Sequence, residues 1–439
     1  MSTLADVQRD PSTADTEAVT GDIVSRFNEA GWLAESRQRA WQRCVEAPRP
    51  DRVDHLWRYT DPAAFEVPVD VLQRAAAGAL GETEVPELDR SHLSGCAVWS
   101  NGTVSQYHLD RPLATAGVKL LDLHDAATGC QRLVEPHLGR VVAADFGRYE
   151  ALNLATWRAG LFIHVPRGVM VQKPMHVVLA ASDANPFFCA RLLVVLEEGA
   201  QLTLVSEFTS PRGMELKTNA VVENVVGARA HLRLVTVQSL SERAGSYFTQ
   251  RADVEKDAQF LSVFAGLGGG VSKADLGARL RGRGANVKFL GVAFGQGDQH
   301  FDHHTVHDHQ ACNTYSDLDF KVVLKDQAHS AYTGLIRIEP DAPNCEAYQE
   351  NRNLLLSDGT RADTIPELEI LNDEVRCTHG ATIGPIDEQQ IFYLEARGIH
   401  REEAIRMVVN GFVEPTLREV PEDLRERLSR YIAQRVERI

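Results

Sequence analysis

The chain of 439 residues is 44% hydrophobic and 24% charged, which is enough apolar material for two or three domains with sizeable cores. Its 46 basic and 61 acidic residues give a net charge of -15, so neither nucleic acid nor an anionic membrane is expected as the main partner. The seven cysteines are scattered and contain no C-x-x-C pair, which argues against a disulfide framework or a self-contained zinc module.

Residues 1–20 are polar and acidic, and we expect a disordered tail there. Because no apolar core follows a basic start, and no later run approaches about 20 apolar residues, a cytoplasmic protein without a membrane partner is predicted. Residues 21–135 are predicted to form a helical and mixed domain. Its first part repeats large apolar residues at helical spacing up to the break at Pro48: Ile23, Phe27, Trp32, Leu33 and Trp41.

Residues 136–385 consist mainly of short runs rich in Val, Leu, Phe and Thr, which is typical of β-strands. A weak repeat runs through them, in which a turn residue and a small residue precede each run. Its first four copies begin 28, 30 and 27 residues apart, and two less regular copies follow: Gly199, Gly227, Asp257, Gly284, Asp326 and Gly359. A period of this length indicates a solenoid, and the scarcity of Asn-Gly and Asp-Gly turns disfavours the alternative, a β-sandwich of hairpins.

Residues 386–439 are predicted to be helical. The first helix begins after an N-cap at Asp387 and ends at Gly398, the second runs from Arg401 to Asn410, and the third covers about 421–437. Short amphipathic helices beyond a solenoid can cap its end, dock a partner, or do both.

A thiol and an imidazole stand two residues apart in the stretch V-R-C-T-H-G-A-T at 375–382. On an extended strand, Cys377 and His379 project from one face, so both could bind one soft metal centre. A buried cysteine beside a hydrogen-bonded histidine would give the same pattern, and two ligands alone do not make a site.

The densest group of imidazoles lies at 301–309 and is followed by Cys312. On a strand, His303, His307 and His309 share one face and His304 lies on the other. The three could meet a first-row metal, which keeps an autonomous metalloenzyme among the hypotheses, although histidines also occupy solvated faces.

Other catalytic patterns have little support. No G-x-S-x-G elbow is present, and the glycine run at 266–270 has neither the G-x-G-x-x-G spacing nor a Walker lysine, so phosphate binding is not expected. The carboxylates of 366–374 could act on a sugar in a β-helix carbohydrate-active enzyme, or simply solvate a strand edge.

Four runs in the last third of the chain stand together: 351–357 (N-R-N-L-L-L-S), 361–370 (R-A-D-T-I-P-E-L-E-I), 377–384 (C-T-H-G-A-T-I-G) and 392–399 (F-Y-L-E-A-R-G-I). Shorter matches are W-R-Y-T at 57–60, V-P-R-G at 165–168 with K-P at 173–174, and D-x-H-T at 302–305. Together these runs closely resemble the SufB/SufD family of iron-sulfur cluster assembly scaffold proteins, over roughly residues 50 to 415.

The resemblance implies a right-handed parallel β-helix flanked by helical regions, and a non-catalytic scaffold subunit. It implies a SufB-type paralogue as partner, a SufC-type ABC ATPase that supplies the ATPase activity, and a sulfur donor protein; a homodimer is expected where the paralogue is missing. An iron-sulfur cluster would form transiently at the subunit interface, and whether a flavin joins the assembled complex is left open. The ATPase is expected to dock on the C-terminal helical region: Ala404, Ile405, Val408, Phe412 and Glu414.

Two positions favour the SufD type, and the SufB-type main scaffold is the alternative. Asn351 stands where the SufB type has a cysteine, and Gly380 where it has a glutamate. In the SufD type, the histidine matching His379 is thought to complete a cluster site with the partner's cysteine, so the resemblance assigns His379 first and Cys377 second. A secondary metal site is kept as a candidate: His304, His309 and Cys312.

Overall fold

A computed structural model describes residues 23–27, 29, 31–77, 81, 83, 85, 87–184 and 186–436 of the chain. The disordered tail predicted at 1–20 lies outside these residues. The helices of the described chain are α1 (Gly31–Glu46), α2 (Val69–Ala77), α3 (Arg111–Thr115), α4 (Leu123–Gly129), α5 (Gln131–Val134), α6 (Arg148–Thr156), α7 (Glu388–Glu395), α8 (Arg401–Leu417) and α9 (Glu422–Val436), with 3-10 turns at His55–Trp57, Pro62–Phe65 and Arg90–His92.

The strands form two sheets. Sheet A contains β1 (Gly95–Ser100), β2 (Thr103–Leu109), β5 (Met175–Ala180), β7 (Gln201–Thr209), β9 (His231–Ser239), β11 (Gln259–Gly266), β13 (Asn286–Gly295), β15 (Tyr315–Leu324), β17 (Glu346–Leu355) and β19 (Arg376–Pro385). Sheet B contains β3 (Lys119–Asp122), β4 (Ala159–Val165), β6 (Phe187–Leu196), β8 (Lys217–Val226), β10 (Gly245–Val254), β12 (Val271–Leu280), β14 (His300–His309), β16 (His329–Ile338) and β18 (Arg361–Ile370).

Successive strands from β4 onward alternate between the two sheets, and each pairs in parallel with the strand two places away. Two strands and their turns therefore make one coil, and the coils stack into a parallel β-solenoid of about eight turns. The predicted solenoid is confirmed, and the β-sandwich is excluded because its hairpins would pair neighbouring strands antiparallel. Antiparallel pairing occurs in the described chain only near the N-terminal end, in β1–β2 and β3–β4.

Four successive coils pass from sheet B to sheet A at a fully buried alanine whose N–H bonds to the carbonyl three residues earlier: Ala200, Ala230, Ala258 and Ala285. Ala328 makes the same bond at the opposite corner, so the two less regular copies of the repeat, at Asp326 and Gly359, lie on turns from sheet A to sheet B. In the first four turns the residue before the alanine has a positive φ, as at Gly199 and Arg229. The second copy of the sequence repeat therefore begins at Arg229, two residues later than the Gly227 predicted. A non-glycine residue in the left-handed conformation hides this turn from a search for glycine.

The core has three layers. The inner faces of both sheets bury one apolar cluster, while α8 and α9 cover the outer face of sheet A and the N-terminal helices cover that of sheet B. The last strands, β18 and β19, each have one unpaired edge and are largely exposed. We call this pair of strands the open end of the solenoid.

The C-terminal helices agree with the prediction, except that the second helix is longer than predicted. Asp387 caps α7 by accepting a hydrogen bond from the Gln389 N–H at 2.8 Å, and Gly398 follows the helix with φ +83°. The second helix continues to Leu417 instead of ending at Asn410, because packing of its apolar side on sheet A outweighs the weak helix propensity of Gly411 and Pro415. No helix of the described chain is long and apolar enough to cross a membrane.

Candidate functional site at the open end of the solenoid

The terminal strand of sheet A carries both residues of the Cys-x-His pair. Cys377 lies opposite Ala347, and His379 lies opposite Gln349 on β17. Cys377 is half-buried and packs on an interior cluster that includes Ala347, whereas the His379 side chain is exposed. Since residues two apart on a strand share a face, both side chains stand on the inner side of the open end.

The Cys377 thiol has a neighbour that the sequence did not reveal. Cys345 is buried one coil earlier in the same cluster, and its Sγ lies 3.1 Å from the Ala342 carbonyl oxygen. Burial, and then the proximity of Cys345, raise the pKa of Cys377 to about 11. The thiol is therefore protonated at neutral pH, and a metal that binds it must displace the proton.

A cavity of about 430 Å³ borders this site beside Pro415 of α8. Three carboxylates among its lining residues are Asp317, Asp319 and Glu350. Burial raises the pKa of Asp317, whereas a hydrogen bond from Arg352 lowers the pKa of Glu350. Each of the three carboxylates lies near a basic side chain, Lys288, Lys321 or Arg352, so the charges of this surface are largely balanced.

The two positions that separate the subunit types face opposite sides of sheet A. Asn351 is buried inside, where its Nδ2 donates to the Phe320 carbonyl at 3.0 Å and its Oδ1 accepts from Asn353 at 2.7 Å. Gly380 lies opposite Glu350. Asn351 is therefore fully engaged in structural hydrogen bonds.

The histidines of β14 divide between the faces as their spacing predicts. His303 packs on Phe320 of sheet A, and His309 hydrogen bonds to Thr314 and Ser316, so both point into the solenoid. His307 is equally buried. In the described part of the chain, neither ring nitrogen of His303 or of His307 has a hydrogen-bond partner, and burial lowers the pKa of each imidazole to about 3.

The structure does not bring the secondary metal candidates together. His309 points inward, His304 points outward, and Cys312 lies on the turn between β14 and β15. Among the described residues, no three His, Cys, Asp or Glu side chains lie close enough to hold a metal ion. The autonomous metalloenzyme hypothesis therefore gains no support from β14.

His304 belongs instead to a buried network that attaches the N-terminal segment to sheet B. Lys273 Nζ lies 2.8 Å from Asp302 Oδ2 and 3.0 Å from His304 Nε2, and it stands over the Trp57 ring. Thr60 donates to the same carboxylate oxygen. Burial opposes ionisation of Asp302, but the charges of His304 and Lys273 hold its pKa well below the usual range. We call these five residues the N-terminal clasp.

The clasp explains two motifs and adds a residue that the sequence did not single out. The W-R-Y-T motif supplies Trp57 and Thr60, and the D-x-H-T motif supplies Asp302 and His304. Lys273 is the residue paired with Asp302 on the preceding strand of sheet B. Lys273 and Asp302 are 29 residues apart in the sequence, and they meet only because one coil stacks on the next.

The expected docking residues lie on α8 but differ in accessibility. Ala404 and Ile405 are buried against sheet A, Val408 and Phe412 are half-buried, and Glu414 is exposed and pairs with Arg418. The buried pair cannot contact a partner directly. Large apolar side chains exposed on α7 and α8 are Phe392 (71%), Tyr393 (57%) and Met407 (45%).

The glycine run at 266–270 serves the turn before β12. Gly268 donates its N–H to Gln238 Oε1 at 2.8 Å, and a side chain there would collide with the Leu240 backbone. The N–H groups of Gly269 and Gly270 also bond to carbonyls of the preceding coil. These amides are therefore occupied and do not form a phosphate cradle.

The carboxylates considered for sugar chemistry lie on the exposed strand β18 and the turn after it. Glu367 Oε1 lies 2.7 Å from His55 Nε2, and Glu369 lies near Arg337. Asn372 donates to the Pro340 carbonyl. These contacts agree with the alternative reading, a solvated strand edge.

Comparisons with known proteins cover nearly the whole chain. Residues 178–412 match the family model described as SUF system FeS cluster assembly, SufBD core domain, and residues 24–177 match that of the SufBD protein N-terminal region. An iron-sulfur cluster assembly SufBD family protein of Staphylococcus saprophyticus is 27% identical over 427 residues, which is 95% of this chain and 92% of the relative. Proteins of the same description from Staphylococcus epidermidis and Staphylococcus aureus are 28% and 27% identical at the same coverage.

Proposed function

Since this chain belongs to the SufBD family of iron-sulfur cluster assembly proteins, we propose that it is a SufD-type scaffold subunit that supplies part of a cluster site shared with a second subunit. The cluster is cargo that is built and passed on, and the chain itself catalyses no reaction. The proposal also includes a cytoplasmic location and a sulfur donor protein as a partner, and only the family likeness supports these two points. The glycine amides at 266–270 are occupied, so a flavin on the assembled complex would have to bind elsewhere.

The open end is the surface proposed to receive the SufB-type paralogue. β18 and β19 present unpaired backbone edges, and apolar side chains are exposed along them, including Leu368, Ile370 and Ile383. An exposed edge with apolar side chains is a template for pairing with another strand. A second solenoid docked here would bury this surface, and a homodimer would form in the same way when the paralogue is missing.

His379 is the proposed cluster ligand of this chain, and Cys377 is the second. The observation that carries this proposal is an exposed imidazole on the terminal strand, at the edge where a partner would dock. Imidazole and thiolate are both ligands for iron and iron-sulfur clusters. Because the described residues hold no cluster of three potential ligands, the partner must contribute the others.

The C-terminal helices are proposed to dock the SufC-type ATPase. Phe392, Tyr393 and Met407 expose large apolar side chains on one helical region, next to the half-buried Val408 and Phe412 and the exposed Glu414. Exposed aromatic residues and methionine are enriched in protein interfaces. Since α8 packs directly on sheet A, a force on the docked helices would reach the solenoid.

The experiment compares His379→Ala with His92→Ala, a control at another exposed histidine. Each variant is assembled with a SufB-type subunit and a SufC-type ATPase, and iron and sulfide are measured after reconstitution. The proposal expects His379→Ala to assemble normally and to lose the cluster, while His92→Ala keeps it. A normal cluster yield in the assembled His379→Ala complex would refute the assignment.

A further inference from the structure

Gln349 is the buried neighbour of the proposed ligand. It lies directly opposite His379 in the parallel pairing of β17 and β19, on the inner face, and its side chain is almost fully enclosed, with 3% of the residue exposed. Side chains at paired positions of adjacent strands stand side by side, within reach of a long polar group. The two residues therefore share the inner side of the last coil.

The carboxamide of Gln349 is held in one orientation. Its Nε2 donates to the Gly334 carbonyl of β16 at 3.1 Å, so the side chain spans the interior from sheet A to sheet B. A flipped amide would place two oxygens against each other. Glycine at position 334 leaves room for this crossing, because a Cβ there would collide with Nε2 and lie 2.6 Å from Tyr332 Oη.

The fixed amide leaves its oxygen without a partner. Gln349 Oε1 is buried and accepts no hydrogen bond from any described residue. A buried carbonyl oxygen that lacks a donor is unfavourable, so Gln349 Oε1 is available to accept a hydrogen bond from a donor that turns toward it. The exposed ring of His379, on an edge strand, can turn toward it.

We propose that Gln349 Oε1 accepts a hydrogen bond from one ring nitrogen of His379 and so holds the other nitrogen as a lone pair directed out of the open end. Gln349 is thus a positioning residue for the cluster ligand, and the inference rests on the proposed function of His379. A neutral imidazole has one donor and one acceptor nitrogen, and metal-binding histidines usually donate their second N–H to a carbonyl or carboxylate. The bond would also satisfy the buried oxygen.

The test measures the tautomers of His379 by nitrogen NMR of the full-length chain labelled at histidine, above the pH at which the ring is protonated. One tautomer should dominate in the wild-type chain. Gln349→Met, which removes the acceptor, should change the tautomer ratio about threefold to tenfold, the range that one hydrogen bond produces.

Asn353→Leu is the matched control, because Asn353 is also buried on the inner face of β17 with an unpartnered oxygen but lies opposite Ile383. It should leave the His379 tautomers unchanged. The same tautomer ratio in wild-type and Gln349→Met chains would overturn the inference, as would an equal change in Asn353→Leu. This measurement needs no cluster, so it fails or succeeds independently of the His379→Ala reconstitution.

Cluster assembly gives the second readout. In the complex with the SufB-type subunit and the ATPase, Gln349→Met should reduce iron retention by about tenfold or more without loss of assembly, as loss of a hydrogen bond behind a ligand does in other metal sites. Wild-type retention in Gln349→Met, in a complex where His379→Ala retains none, would overturn the positioning role while leaving the proposed function intact.

Discussion

Thr60 Oγ1 donates a hydrogen bond to Asp302 Oδ2 at 2.5 Å, across 242 residues of sequence. The same oxygen accepts from Lys273, and both side chains of the pair are buried. This contact fastens the N-terminal segment to the outer face of sheet B at the coil formed by β14. It makes the N-terminal clasp part of the folded core.

Thr60→Val should lower the free energy of unfolding by about 1.5–3 kcal/mol, because it removes a hydrogen bond to a buried charge at nearly constant volume. Urea unfolding of the purified chain measures the change. Thr103→Val, at an exposed threonine of β2, is the control and should stay within about 0.5 kcal/mol of wild type. Equal stability of the two variants would contradict a stabilising role of the clasp.

The buried histidines should make the fold sensitive to acid. In the unfolded chain an imidazole binds a proton near pH 6.5, whereas His303 and His307 stay neutral in the folded chain down to about pH 3. Between these values the unfolded state holds more protons, so stability falls as the pH falls. Each histidine contributes a slope of up to about 1.4 kcal/mol per pH unit.

His303→Phe removes one of these histidines. The free energy of unfolding should therefore fall less steeply between pH 6 and pH 4, by up to about 1.4 kcal/mol per pH unit. Phenylalanine suits the position because His303 already contacts Phe264, Phe301 and Phe320. Urea unfolding at a series of pH values measures the slope. An unchanged slope in this variant would mean that His303 takes up its proton in the folded state.

The period of the turns predicted the solenoid because four successive coils place a small residue at the same corner, as at Ala200 and Ala258. The period of two within a strand also placed His303 and His304 on opposite faces. Which face is interior could not be predicted, because both faces are covered. Valines such as Val235 point outward under α8 and α9, while imidazoles point inward.

Partners on neighbouring coils were the residues that the sequence analysis missed. Cys345 lies beside Cys377, Lys273 beside Asp302 and Gln349 beside His379, each about 30 residues away along the chain. Coil lengths vary by a few residues, so a fixed offset does not find such pairs. The strand register must be known before the residues around a motif can be named.

Cys377 should react slowly with iodoacetamide in the isolated chain. Its pKa of about 11 leaves roughly a hundredth of the thiolate of an ordinary cysteine with a pKa of 9.0, and the thiolate is the reactive form. Mass spectrometry of peptides should show alkylation at pH 7.5 at least about tenfold slower in the folded chain than in urea. Equal rates would place the thiol in solvent and remove the basis for a buried second ligand.

Docking of the ATPase should depend on the exposed side chains of the C-terminal helices and not on Ala404 and Ile405, which are buried. Met407→Asp and Phe392→Ser change side chains that are 45% and 71% exposed, so the fold should be retained while binding of a SufC-type ATPase weakens by about tenfold or more. Ala404→Asp is the contrast, because it places a charge against sheet A, where Ala404 is fully buried.

That buried charge should cost several kcal/mol of stability and detach α8, so any loss of binding by Ala404→Asp follows from unfolding. Thermal unfolding separates the two effects, and titration calorimetry with the purified ATPase measures the affinity. If Met407→Asp and Phe392→Ser both bound with wild-type affinity, the ATPase would have to dock elsewhere on this chain. The half-buried Val408 and Phe412 lie on the same helix and would be the next side chains to change.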